Sequence, residues 1–191
     1  MIGILQNIAK ILFAIFAIAL ITWEPKLPPK LNIQQIEDTV VIHKGYLHYD
    51  SLVLPLKQIP PIKDLHTVAK GVVGNWSKLF IAVKIEESGN DGQNSFYALK
   101  YHNLTGMRYP TKRKTTAVGR GYDYYAIYSN WYQSMVDFKL YLNYMEATYY
   151  LKYKRYPKNE KEFIQFLYGS FNVYSKWRND VFYILDNFNF E

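Results

Sequence analysis

Cysteine is absent from the 191 residues, which excludes disulfides and thiolate metal sites outright. That absence does not fix the compartment, because many envelope proteins lack cysteine. Histidine is scarce, at four residues, and neither His-Glu-x-x-His nor any other compact metal-ligand spacing occurs. No metal and no cofactor is expected. Acidic residues are the rarer charge, 16 against 23 Lys and Arg, for a formal charge of +7, and such a surface attracts polyanions. Zinc-finger, ribonucleoprotein and leucine-zipper patterns are all missing. Nucleic acid is therefore not expected as a partner, and the bacterial wall, with its peptide carboxylates, fits better. Apolar residues are plentiful instead, at 49% with 18% aromatic, which excludes a disordered chain. Nineteen Tyr and eleven Phe suit a core and a cleft built from rings, and the apolar face of a pyranose stacks on such rings.

The length fits one domain with accessories. Residues 1–23 are strongly apolar, with a core from Ile11 to Trp23. About twenty residues from Ile2 would span a bilayer with Gln6, Asn7 and Lys10 near one interface and Trp23 and Lys26 at the other. No small-x-small cleavage site follows, so an uncleaved transmembrane or signal-anchor helix is favoured over a removed leader. Residues 24–59 open with the stiff spacer Glu24-Pro25-Lys26-Leu27-Pro28-Pro29-Lys30. Short strands are expected at Asp38–His43 and Ser51–Leu56 around a Lys44-Gly45 turn. Pro60-Pro61 marks a boundary, and residues 60–191 form the main domain.

Within that domain Trp76, Phe80, Val83 and Glu87 fall in one line down a helix face, flanked by Leu79. Gly89 stops the helix directly beyond. Glu87 therefore ends an apolar stripe at a helix rim, where desolvation raises a carboxyl pKa toward the working pH of a general acid. A helix-terminal Glu pointing into water would show the same spacing. Glu86 is rotated about 100° away, into a different environment, and is expected to be dispensable. Asp64 and Asn75 stand where N-caps are expected, as do Asn130 and Asn159. Trp131–Tyr153 reads as one long helix with Trp131, Met135, Phe138, Leu142, Met145 and Tyr149 on its core face. Further helices are expected after Asn159, ended by Gly169, and over 170–187. Met107–Tyr128 holds Pro110, Gly119 and Gly121 and suits a small β-lobe. Arg108, Lys112, Arg113, Lys114 and Arg120 make it the most basic stretch. The composite expectation is a mainly helical α+β domain.

Glu87-Ser88-Gly89 at the end of an apolar helix, followed by Asn103-Leu104-Thr105-Gly106-Met107, resembles the glucosaminidase family of peptidoglycan hydrolases. The family pattern is a helix ending Glu-Ser/Thr-Gly and then Asn-Asn-Leu-Phe-Gly-Ile/Leu. Tyr125-Ala126-Ile127-Tyr128-Ser129-Asn130-Trp131 through Asp137-Phe138 is similar to its Tyr-Ala-x-Tyr-x-x-Trp-x-x-Ser-Val/Ile-x-Asp-Tyr segment. The likeness covers roughly Pro60 to Phe188 and departs at His102, for the first Asn, and at Thr105, for Phe. It implies a lysozyme-like fold and cleavage of the wall glycan next to N-acetylglucosamine. Glu87 would be the general acid, and Asn103, Leu104, Gly106, Tyr125 and Tyr128 would line the sugar cleft. The domain would lie outside the cytoplasm, held by its N-terminal helix to the inner membrane.

Glycoside cleavage uses a second carboxylate as base or nucleophile. Asp123 stands there by elimination, as the only acid between Asp91 and Asp137, although a turn residue after Gly121-Tyr122 looks the same. Two routes need no second carboxylate: attack by the substrate's own 2-acetamido group, and lytic transglycosylation with one Glu as acid then base. A catalytically silent wall-binding or assembly protein stays open beside them.

Overall fold

The structure is a computed structural model that describes residues 40–91 and 93–190. The expected membrane helix at 1–23 and the proline spacer lie outside the described residues. Among the described residues no helix is long and apolar enough to cross a membrane.

The chain enters as an antiparallel meander of β1 (Val40–His43), β2 (Tyr46–Tyr49) and β3 (Leu52–Pro55), in that spatial order. The first turn is Lys44-Gly45, both at positive φ (48° and 83°), the conformation a two-residue hairpin loop demands. The sequence pattern shows β1 and β3 but not β2, whose polar His48 and Tyr49 hide a period-two strand. Leu47 pairs with Leu54 in register, and both turn inward, 0% and 7% exposed. The indole N–H of Trp131 donates to the Pro55 carbonyl at 2.9 Å. The meander and the helices fall in one compact unit, so the boundary expected at residue 60 does not divide the fold.

Six helices follow among the described residues: α1 (Ile62–Val72), α2 (Ser77–Ser88), α3 (Phe96–Tyr101), α4 (Trp131–Tyr153), α5 (Glu160–Leu167) and α6 (Ser175–Asn187). Between α3 and α4 a two-stranded ribbon pairs β4 (Gly119–Arg120) with β5 (Ala126–Ile127). The protein is thus α+β and mainly helical. Asn130 and Asn159 cap α4 and α5 as expected, their side chains accepting from the amides of Gln133 and Glu162. Asp64 and Asn75 do not cap. Pro61 precedes α1, and its first amide, on Ile62, is satisfied from a distant loop by the Asp91 carboxylate at 2.8 Å. A short 3-10 turn over Gly74–Trp76 leads into α2 instead of a side-chain cap.

Helix α2 is the centre of the core. Leu79, Phe80, Ile81, Ala82, Val83 and Lys84 are all buried, so the helix is enclosed on every side over this stretch, as a central helix is. Helices α1 and α6 pack against it. On α4, Trp131, Met135, Phe138, Leu142, Met145 and Tyr149 are buried, matching the spacing of three and four that marks them in the sequence.

Candidate active site

Glu87 sits one residue before the end of α2, and Gly89 (φ 85°) turns the chain away. A side chain on Gly89 would collide with the Gln93 carbonyl, which is why glycine stands there. Buried Lys84 closes this end of the helix, donating from Nζ to the Gly89 carbonyl at 2.6 Å and to Asn94 Oδ1 at 3.0 Å. The loop after the helix is thereby held at both ends.

The turn His102–Met107 lies against the same helix end. Ser88 Oγ donates to the Leu104 carbonyl at 2.5 Å, and the Leu104 amide donates to Ser134 Oγ at 3.0 Å. Asn103 is fully buried. Its Nδ2 donates to the carbonyls of Met107 (2.8 Å) and Ala126 (3.0 Å), and its Oδ1 accepts from the Met107 amide (3.0 Å). Asn103 and Leu104 therefore build the turn from inside and present no side chain to a cleft. Gly106 does face the site. A Cβ there would stand 2.5 Å from Glu87 Oε2 and 3.0 Å from its carboxyl carbon, and its φ of 63° is one that glycine adopts without steric cost. The glycine backbone is the seat of the Glu87 carboxyl. His102, where the resembled pattern has Asn, occupies the left-handed cap of α3 at φ 52°, a region in which Asn and His are both enriched.

Glu87 is half-buried, and its pKa is pushed up to about 7, first by desolvation. Trp177 and Asn172 act against this as hydrogen-bond donors, Arg108 by its charge, while the negative charge of Glu86 adds to the rise. The Asn172 amide is oriented because its Oδ1 accepts from the Tyr174 backbone at 2.9 Å, which leaves Nδ2 for Glu87. Trp177 Nε1 is buried without a hydrogen bond of good geometry. Its N–H nevertheless lies close enough to the carboxyl to lower the Glu87 pKa. Neither residue announces itself in the sequence, where Trp177 reads as a core position of the last helix.

Glu86 is half-buried as well. Burial raises its pKa, with further contributions from Asp180, opposed by Lys176. Lys176 and Asp180 form an ion pair one turn apart on α6. The two adjacent carboxylates do face different partners, Asp180 for Glu86 and Asn172 with Trp177 for Glu87, but both face α6.

Asp123 is exposed, with φ 49° inside a short 3-10 turn over Tyr122–Tyr124. Its backbone carbonyl accepts from the Arg108 guanidinium, whose carbon lies 4.3 Å from the Tyr125 ring centroid. Tyr125 stacks on Tyr97 at 4.0 Å and 25°. Arg108, which holds Asp123 and covers Tyr125, also acts on Glu87 through its charge. The strongest charges on Glu87 are nevertheless Glu86 and Arg108. Tyr122 and Tyr124 stand open beside this group, 71% and 63% exposed, and Arg120 covers the Tyr124 ring at 4.8 Å.

Tyr128 is elsewhere. It is 2% exposed, and its hydroxyl donates to Asp137 Oδ2 at 2.6 Å. Asp137, fully buried, also takes both arms of Arg113 at 2.8 and 2.9 Å. Arg113 is therefore not one of the free cations of the basic lobe, and Tyr128 belongs to a structural network. Among the described residues no three His, Asp or Glu side chains are grouped to hold a metal ion. Comparison with protein-family models, with curated proteins and with solved structures finds no match to the chain.

Proposed function

We propose that the chain is a peptidoglycan hydrolase with a lysozyme-like domain, cleaving the glycan next to N-acetylglucosamine with Glu87 as general acid. The observation that carries this reading is the Glu87 carboxyl, seated on Gly106 at a helix rim and held near a pKa of about 7. A general acid works best when its pKa lies close to the operating pH. Burial supplies the proton-retaining environment, and Asn172, Trp177 and Arg108 stabilise the carboxylate left after the proton moves to the glycosidic oxygen. The exposed rings of Tyr122 and Tyr124 offer faces for sugar stacking, while Tyr125 is already enclosed between Tyr97 and Arg108. The N-terminal apolar segment anchors the domain to the inner membrane, on the periplasmic or extracellular side where the polymer lies.

Asp123 is exposed and engages Arg108 through its backbone carbonyl rather than its carboxylate, which favours a route with one carboxylate over a two-carboxylate mechanism. Substrate-assisted hydrolysis and lytic transglycosylation both meet that condition. Digestion of purified peptidoglycan with mass spectrometry of the soluble fragments tests the proposal. Reducing N-acetylglucosamine ends are expected; anhydro-muramic ends would make the enzyme a transglycosylase. Binding to the wall with no release of fragments would leave a non-catalytic wall-binding protein.

A further inference from the structure

A concavity of about 420 Å³ opens between the turn following β3 and helix α3, lined by Lys57, Gln58, Ile59, Asn94, Leu99 and His102. None of these residues touches Glu87 in the contacts described above. The polar groups are strongly biased toward donors. Lys57 Nζ gives one hydrogen to the Ser129 carbonyl at 2.6 Å and keeps two more. The Asn94 amide is fixed in direction because its Oδ1 accepts from buried Lys84 at 3.0 Å. An ammonium only donates, so Asn94 Nδ2 must face away from Lys84. Burial and the positive charge of Lys57 lower the His102 pKa, and none of the residues lining the concavity is a carboxylate. Ile59 and the 62% exposed Leu99 supply an aliphatic wall. His102 is also where the chain departs from the resembled family pattern, so the concavity is a property of this chain's own residues.

A site with a cation, a directed amide N–H and an aliphatic wall, and with no acid of its own, selects an anion carrying a small apolar arm. The volume suits a ligand of dipeptide size. We propose that this concavity binds the free C-terminal carboxylate of a short peptide, with Lys57 and Asn94 holding the carboxylate and Ile59 and Leu99 contacting its aliphatic side chain.

The test is titration of isotope-labelled protein with N-acetyl-Ala-Ala, with its C-terminal amide and with acetate, followed by NMR at the Asn94 side-chain amide and the His102 ring. Saturable shifts at both residues are expected from N-acetyl-Ala-Ala, with a Kd on the order of 1 mM. Blocking the carboxylate as the amide, or Lys57→Ala, is expected to weaken binding about tenfold or more, and bound carboxylate is expected to raise the His102 pKa. Lys57 is exposed, so its removal leaves the fold intact. Equal binding of the amide, or no saturable shift at Asn94, overturns the proposal. Acetate binding as tightly as the dipeptide overturns the peptide assignment and leaves a bare anion site. The readout is binding of an added peptide rather than glycan cleavage, so the outcome is separable from success or failure of the hydrolase reading.

Discussion

The Glu87 carboxyl carries a proton at a pH where an ordinary glutamate has lost it, and the consequences run in opposite directions for activity and stability. Its folded pKa of about 7 lies above the reference value of 4.5, so between these values the native state binds more protons than the unfolded chain. Stability from this group is fully present below 4.5 and falls as the pH rises through 7. Glu87→Gln removes that dependence: it is expected to abolish glycan cleavage and to raise stability at pH 8 by on the order of 2 kcal/mol, with little change at pH 4. Urea melts at the two pH values check this, and equal effects at both would mean the carboxyl is not desolvated. Gly106→Ala places a methyl 2.5 Å from Glu87 Oε2. The carboxyl end of a flexible side chain can swing aside, so the stability loss should stay near the cost of a left-handed alanine, about 1 to 2 kcal/mol. Cleavage should fall by far more, because the acid is displaced from its seat; kcat measured beside thermal stability separates the two. Glu87 is legible in the sequence because its burial is written locally, in the apolar positions at three and four before it and the glycine after it. Asn103 and Tyr128 are legible only as conspicuous residues. Their use, on backbone carbonyls and on Asp137, depends on segments that sequence spacing does not bring together.

Helix α6 and the turn before it complete the site, and they illustrate what local pattern leaves out. The sequence shows an amphipathic helix with Trp177 on the buried face. It does not show that this face meets the last turn of α2, so the donors Asn172 and Trp177 and the partner Asp180 of Glu86 are visible only in the fold. Trp177→Phe keeps an aromatic ring beside Phe171, which the indole meets at 5.2 Å, and removes the N–H. Because that N–H lowers the Glu87 pKa, the variant should titrate Glu87 at higher pH by carboxyl ¹³C NMR and extend cleavage to more alkaline conditions. An unchanged titration would deny Trp177 any hold on the acid. The ribbon containing β4 and β5 is fixed to α4 by another device. Asp137 of α4 joins Tyr128 and Arg113 in a site where Arg113 is 8% and Asp137 0% exposed. Asp137→Asn strands the guanidinium without a counter-charge and should cost about 3 to 5 kcal/mol. Tyr128→Phe loses one hydrogen bond and should cost about 1 kcal/mol with cleavage retained. A Tyr128→Phe protein of native stability that had lost activity would instead return Tyr128 to the cleft.

For the molecule as a whole, the question is whether residues 40–56 are a lead-in or part of the domain. The proline pair at 60–61 suggests a lead-in, because prolines interrupt regular structure and nothing local reveals what the preceding strands pack against. The structure answers through Leu47, Leu54 and Leu56, all in the main core. Burying three such side chains contributes about 5 kcal/mol together. That is comparable with the net stability of a whole domain, about 5 to 15 kcal/mol. Removing the meander would also leave Trp131 Nε1 without the Pro55 carbonyl, stranding a buried donor at a cost of about 1 to 3 kcal/mol. The losses add on one side of the core, against the first turn of the longest described helix. A chain beginning at Pro60 should therefore unfold broadly, or melt at least 10 to 15 °C below one beginning at Val40, at roughly 2 to 4 °C per kcal/mol. Circular dichroism melts of the two chains decide it. A sharp transition within a few degrees of the longer chain would show that α1 to α6 close their own core, and would restore the boundary at the prolines. A broad melt would mean that the meander is the floor on which α4 stands, and that the proposed activity requires residues well upstream of the helix that carries Glu87.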